Sequence, residues 1–337
     1  MSEIITKDAL TRLVDEWIGR GNMAVGPLES QPGYIRFAPL ASGKELKLTG
    51  FIHPANSPKE FAFPRHEKLY KYLFEDNSVD LADLPPEPKP VLIVGCRPCD
   101  AAALPILDPL MNWDYKDSQY NKRREALTVV TLACKEWDEQ CFCTSVNLGP
   151  AAEKGSDVLL FDLGGGNYEA RALTEKGKAL LSGKTQQGTQ TAEAPAGPAQ
   201  QFEAAAITEA LKGMFESPLW AAEALRCVGC GTCTYTCPTC HCFDIVDEGN
   251  AKGGVRARNW DACQFRMFTL HASGHNPRPD QPSRQRQRIL HKFMIYPEKF
   301  GELLCTGCGN CFRNCPVNLG VLNILKAASR LPAAVEG

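Results

Sequence analysis

Eight of the sixteen cysteines in this 337-residue chain fall into two copies of one spacing, C-x2-C-x2-C-x3-C-P. The first copy is Cys227, Cys230, Cys233, Cys237 and Pro238, and the second is Cys305, Cys308, Cys311, Cys315 and Pro316. Two-residue gaps let three successive thiolates curl around one [4Fe-4S] cluster. The proline after the fourth cysteine turns the chain away, so that the fourth thiolate serves the neighbouring cluster. The expected ligand sets are therefore Cys227, Cys230 and Cys233 with Cys315, and Cys305, Cys308 and Cys311 with Cys237. Gly229, Gly231, Gly307 and Gly309 lie between ligands, where left-handed turns and close backbone approach to sulfide are needed. Zinc would be satisfied by two CxxC pairs and requires neither a third cysteine nor the proline. Disulfides would need an oxidising compartment, of which the sequence gives no sign.

Five further cysteines sit where a parallel sheet would bring them together. Cys96 and Cys99 follow the apolar run Pro90–Gly95, Cys134 follows Leu127–Ala133, and Cys141 and Cys143 come soon after. With right-handed crossovers, the carboxyl ends of such strands gather at one edge, where ligands bind. Cys99, Cys134, Cys141 and Cys143 are the expected ligands of a third [4Fe-4S] cluster, with Cys96 as the spare thiol. Buried free thiols and structural zinc are the competing readings of this group. Cys240, Cys242 and Cys263 stay unassigned, between an additional metal site completed by His241 or a carboxylate and burial as free thiols against a cluster; the second is preferred. His241, His271, His275 and His291 are each more simply packing or surface residues, and no C-x-x-C-H haem attachment motif is present.

The elements that must hold these groups divide the chain into two domains. Residues 1–181 carry the non-alternating runs Pro90–Gly95, Leu127–Ala133 and Val158–Leu163, with helical candidates at Ala101–Leu110 and Asp117–Ala126. Apolar runs of this kind predict an α/β domain with a parallel-type sheet buried on both faces. Residues 182–201 are polar, rich in Gly, Pro, Gln and Thr, and read as a linker. Residues 202–337 begin with the helical composition of Phe202–Arg226. The 78 residues separating the first cysteines of the two runs exceed what a minimal ferredoxin accommodates, so this half reads as an expanded, mostly α-helical ferredoxin-type domain carrying two clusters.

Composition narrows the setting. The N-terminal segment is charged throughout and has neither the apolar core of a signal peptide nor that of an anchor, and no apolar run approaches the roughly 20 residues of a membrane helix. A cytoplasmic protein without membrane contact is expected. Net charge is −2, yet nine Lys and Arg lie between Lys252 and Lys292 against only Asp261 and Asp280. A nucleic-acid partner is not the favoured meaning of this basic stretch. Thiolate-ligated clusters carry negative charge, which Arg256, Arg258, Arg266, Arg284, Arg286 and Arg288 are suited to compensate, and the same residues are suited to dock an acidic partner subunit. A solvated face is the plain alternative for residues 284–288. No G-x-G-x-x-G, Walker A, G-x-S-x-G or H-E-x-x-H motif is present, so a nicotinamide site and a catalytic centre are expected elsewhere, with no catalytic residue in this chain.

Several segments combine into a resemblance: Gly95-Cys-Arg-Pro-Cys-Asp-Ala-Ala-Ala-Leu, Tyr120-Asn-Lys-Arg-Arg-Glu, Cys141-Phe-Cys-Thr-Ser, Cys237-Pro-Thr-Cys-His-Cys-Phe-Asp, Trp260-Asp-Ala-Cys and His291-Lys-Phe. Over about residues 90–320 the chain resembles the iron–sulfur family that includes the A subunit of anaerobic sulfite reductase, the beta subunit of soluble NAD(P)-linked [NiFe] hydrogenases, and the B subunit of flavin oxidoreductases linked to heterodisulfide reductase. The resemblance implies an electron-relay subunit of an oxidoreductase complex in anaerobic metabolism. It would pass single electrons between a partner flavoprotein holding FAD and NAD(P) and a terminal hydrogenase, sulfite reductase or heterodisulfide reductase subunit. It also supports Cys96 as the spare thiol, because family members often have an aliphatic residue there. A free ferredoxin-like carrier serving several enzymes is the alternative. Catalysis by the strand-end thiols themselves ranks below both.

Overall fold

The structure is a computed structural model that describes residues 2–83 and 88–330; the expected domain limits at residues 1 and 337 lie outside them. Its strands are β1 (Ser2–Thr6), β2 (Met23–Gln31), β3 (Tyr34–Pro39), β4 (His66–Glu75), β5 (Ser78–Asp83), β6 (Val91–Cys96), β7 (Leu127–Leu132), β8 (Val158–Gly164), β9 (Asn167–Ala172), β10 (Gln186–Gly188), β11 (Phe243–Asn250) and β12 (Gly253–Trp260). The three non-alternating runs become β6, β7 and β8. With β2 they form the parallel centre of an eight-stranded mixed sheet, ordered β10-β1-β9-β8-β7-β6-β2-β3.

Every residue of β6 and β7 is buried, because both faces of the sheet are covered. On one face the helix Lys7–Gly19 lays Leu10, Leu13 and Val14 against Leu92, Val94, Val130 and Leu160. Thr6 starts that helix by accepting the Ala9 amide at 3.1 Å. On the other face Ala103–Met111 and Ser118–Ala126 pack Leu104, Leu107, Met111 and Tyr120 against Ile93, Cys96 and Val129. Asp117 caps the second of these helices through the Tyr120 amide at 2.9 Å.

A second, antiparallel sheet joins the two halves of the chain. Its order is β11-β12-β4-β5, so a hairpin from residues 66–83 pairs with one from residues 243–260. This hairpin adds strands to the half expected to be mostly α-helical. β11 is largely exposed and carries Asp244, Asp247, Glu248 and Gly249, which masks any period-two signal, while β12 is half-buried to buried. The segment 182–201 likewise contributes β10, paired to β1, and its Ala192 amide bonds Glu169 at 2.6 Å. It is therefore packed onto the first sheet, where composition alone reads as a spacer.

The remaining helices surround a separate core of Ile207, Leu211, Trp220, Ile289, Phe293, Leu322 and Leu325. Phe142, which lies between Cys141 and Cys143, is 1 % exposed and inserted into this same core, so the two halves share side chains as well as strands.

Arg258 on β12 secures the junction. Its Nε donates to Glu67 on β4 at 3.0 Å, its Nη1 pairs with the helix cap Asp117, and its side chain is 7 % exposed. Among the described residues, removing Arg258 would leave the buried Glu67 with Arg123 alone and Asp117 with the Tyr120 amide alone, and losing one partner from a buried ionic group is costly. Arg258→Met should therefore lower the unfolding free energy by about 3 kcal/mol, measured as a shift of the denaturation midpoint at unchanged slope.

Candidate iron–sulfur site

Each cysteine run adopts a tight loop followed by a short helix, Thr232–Tyr235 in the first and Asn310–Arg313 in the second. The four glycines between ligands have φ of +68°, +74°, +67° and +76°, in the left-handed region foreseen for them. Gly307 shows why no side chain is tolerated: a Cβ there would lie 2.5 Å from the Cys143 backbone nitrogen. The Cys237 thiol lies near enough to the second run for its charge to act on Cys305 and Cys308. Burial holds the Cys308 thiol well above its ordinary range, with thiolates at Cys237 and Cys311 adding to it, and burial pushes Cys305 up to about 12, with Lys292 opposing and Cys237 adding.

Two buried cations, Arg288 and Lys292, face these thiols, and Arg284 on the same helix face bonds Gln281 and the Arg278 carbonyl instead. Arg284, Arg288 and Lys292 repeat every four residues along the helix Gln281–Leu290 and the π-helical turn His291–Ile295, and are 8 %, 4 % and 3 % exposed. The π turn follows the regular helix directly, and Lys292, within it, keeps its chain inward. Its Nζ donates to Cys237 Sγ at 3.4 Å, Thr239 Oγ1 at 3.1 Å and Leu304 O at 3.0 Å. Lys59, from the opposite half, donates to Cys240 O at 2.7 Å and lies 4.2 Å from the Trp260 ring centre. Burial disfavours all three charges at Lys59, Arg288 and Lys292. Thiolates outweigh burial at Arg288 and Lys292, which are pushed up, but not at Lys59, which is pushed down. Among the described residues none of the three pairs with a carboxylate, and Arg288 Nε has no hydrogen-bond acceptor. Soft sulfur donors in a dry interior, opposed by cations lacking any other counter-charge, fit anionic iron–sulfur clusters.

The strand-end thiols also converge. Cys99, Cys134, Cys141 and Cys143 line one small pocket together with His53, Arg97, Gly307 and Cys308. Burial and the mutual repulsion of neighbouring thiolates raise Cys99 well above its usual value, and Cys143 to about 11. Cys134 is pushed up to about 12 by burial, with Arg97 opposing. Free thiols so placed resist ionising together, whereas a bound metal centre relieves their repulsion. Arg313, on the second run, donates to Cys141 Sγ at 3.0 Å and grips Asp138. The Phe142 amide donates to Gly307 O at 2.9 Å, closing the pocket against the second run.

Residues 226–319 match the family described as a 4Fe-4S dicluster domain. The chain carries a 4Fe-4S dicluster domain. Over 312 residues it is 29 % identical to sulfhydrogenase 2 subunit beta of Pyrococcus furiosus, covering 89 % of this chain and 90 % of that protein. The resemblance to iron–sulfur electron-transfer subunits, drawn from the sequence motifs, is borne out by that relative. No solved structure matches the chain. No helix among the described residues is long and apolar enough to cross a membrane.

Around the dicluster domain the other sequence candidates separate. Cys96 lies inside the sheet, fully buried, 3.8 Å from Val130 O and outside the pocket of the other four. Cys240 contacts Cys237, and Cys242 contacts Cys263, which also lies 3.8 Å from Thr234 Oγ1. His241 and His291 meet edge to face at 5.4 Å and burial lowers both, to about 3 and about 4. His271 and His275 form an exposed pair.

The basic run at 284–288 is neither a solvated face nor a single docking surface. Arg284 and Arg288 turn inward, while Arg286 turns out to stack 3.5 Å from the Phe215 ring centre and to pair with Glu216 at 3.7 Å. Arg256 pairs with Asp247 on the exposed hairpin, and Arg258 is the buried junction residue. Sequence reasoning missed Lys59, His53, Asp100 and Gln281, whose Nε2 donates to Cys227 Sγ at 3.1 Å. Only the four-residue period of Arg284, Arg288 and Lys292 carried a legible signal.

Because a methyl group at Gly307 would collide with Phe142 and Cys143, Gly307→Ala should disturb two thiol sets at once. Iron and acid-labile sulfide per chain should fall by at least about four of each, measured after anaerobic reconstitution beside wild type.

Proposed function

We propose that this chain is the electron-relay subunit of a cytoplasmic oxidoreductase complex. It would exchange single electrons with an FAD- and NAD(P)-binding partner at one end and a terminal hydrogenase, sulfite reductase or heterodisulfide reductase subunit at the other. The assigned ligands are Cys227, Cys230, Cys233 and Cys315; Cys305, Cys308, Cys311 and Cys237; and Cys99, Cys134, Cys141 and Cys143. When bound at these sets, [4Fe-4S] clusters supply one-electron chemistry.

One observation carries the reading: Cys308 belongs to the second run and also walls the strand-end pocket. With Cys237 crossing between the two runs, the three thiol sets follow one another without a gap. Cys230 is exposed at one end of the series, offering a point of exchange with a partner, while Cys237 and Cys308 are buried. The chain's own residues hold the thiolates, exclude solvent and supply compensating charge through Arg288 and Lys292. The name of the Pyrococcus furiosus relative favours the hydrogenase branch.

A free carrier needs no eight-stranded scaffold, which argues for a fixed subunit. Purification of the tagged chain from its native host should bring a flavoprotein in equal stoichiometry. Isolation of the chain alone, fully loaded with iron and reducing several unrelated acceptors at similar rates, would favour the carrier instead. Anaerobic analysis should give about twelve iron and twelve sulfide per chain for three clusters, against about eight of each for two.

A further inference from the structure

The strand-end pocket contains a histidine that the relay reading does not use. His53 lies in the loop after β3, and its side chain is 3 % exposed. That loop is held from two sides. Arg97 donates to Phe51 O at 2.9 Å and Ile52 O at 3.2 Å, and Asn310 donates to Pro54 O at 3.1 Å. The ring therefore has a fixed position between the sheet edge and the second cysteine run.

Both ring nitrogens face acceptors. Nδ1 lies 3.0 Å from Pro54 O, while Nε2 lies 3.4 Å from Cys99 Sγ and 3.2 Å from Asp100 Oδ2. A carbonyl can only accept, so Nδ1 donates there; a Cys99 thiolate bound to a cluster and an ionised Asp100 carboxylate are both acceptors, and toward them Nε2 is the donor. Asp100 is fully buried, its Oδ2 also receives the Arg97 amide at 3.3 Å, and its Oδ1 has no partner. A buried carboxylate beside Cys99 would, uncompensated, disfavour any added electron in the pocket. Around the other thiol sets this negative charge is met by Arg288 and Lys292. In the strand-end pocket Arg97 faces Cys134 and Arg313 faces Cys141, which leaves His53 to face Cys99 and Asp100.

We propose that His53 is a positioning residue whose Nε2–H, steadied by Asp100, bonds the Cys99 thiolate and raises the reduction potential of the centre in this pocket. The inference rests on the reading of Cys99, Cys134, Cys141 and Cys143 as ligands of a third cluster. A donor to a coordinating sulfur withdraws electron density and stabilises the reduced state. His53 thereby offsets the Asp100 charge and keeps the strand-end centre reducible by its neighbours.

The test is EPR-monitored redox titration of the full-length protein, reconstituted anaerobically, with iron and sulfide measured on the same samples. His53→Leu should retain about twelve iron per chain while one of the three midpoint potentials moves negative and two stay put. His53→Gln, which keeps an N–H donor without the ring, should restore part of the shift. Asp100→Asn should move the same midpoint positive, since it removes the buried negative charge that His53 offsets. Unchanged midpoints in His53→Leu at full iron content would overturn the role of His53 and leave the three-cluster reading intact. Loss of about four iron in His53→Leu and His53→Gln alike would also overturn it, making His53 a ligand or a fold determinant. Only about eight iron in wild type would overturn the three-cluster reading, and the inference with it.

Discussion

Buried negative charge on sulfur is the constraint around which this molecule is organised. Thiolates in a dry interior are costly unless cations or metal oppose them. The protein answers with Arg288 and Lys292 from one helix face and Lys59 from the opposite half. These cations are costly too, and the description that satisfies both partners places an anionic cluster between them. The same helix places Arg286 outward, so four-residue periodicity, not the density of arginines, decides which charges serve the interior.

From this follows the interlocking of the two halves. Lys59 and His53 lie between β3 and β4 in sequence, yet reach the cysteine-rich half. Phe142 enters the C-terminal core, and β12 pairs with β4. A cluster scaffold that must fix sulfur positions gains rigidity from elements already packed elsewhere, and the α/β sheet provides them. The point of closest approach, Gly307 against Phe142 and Cys143, is where the second run and the strand-end pocket share a wall. The second run meets the strand-end pocket both through this backbone contact and through Cys308, which lines that pocket.

The junction also bears on the leftover cysteines. Cys96 is held in the sheet by the packing that buries β6 on both faces, which separates it from Cys99 only three residues later. The left-handed Gly95 and the turn beginning at Arg97 produce that separation. Cys240, Cys242 and Cys263 sit as contacting thiols around the Cys237 turn, beside the buried histidine pair.

Local spacing alone determined much of this protein. The cysteines of the two runs stand only three and four positions apart, so their loops, left-handed glycines and the match to a dicluster domain were legible directly. The parallel centre of the first sheet was equally readable, because burial on both faces leaves uninterrupted apolar runs. From those runs alone came the gathering of Cys99, Cys134, Cys141 and Cys143 at one edge. The second sheet, β10, the inward turn of Arg284 and Arg288, and the placement of Lys59, His53 and Asp100 were decided only in three dimensions. Most of their partners lie tens to hundreds of residues away, Arg284 with Gln281 and Arg278 excepted, and a charged side chain reads as solvated until a distant segment covers it. Sequence records which atoms can bind iron; tertiary structure decides which charges surround them.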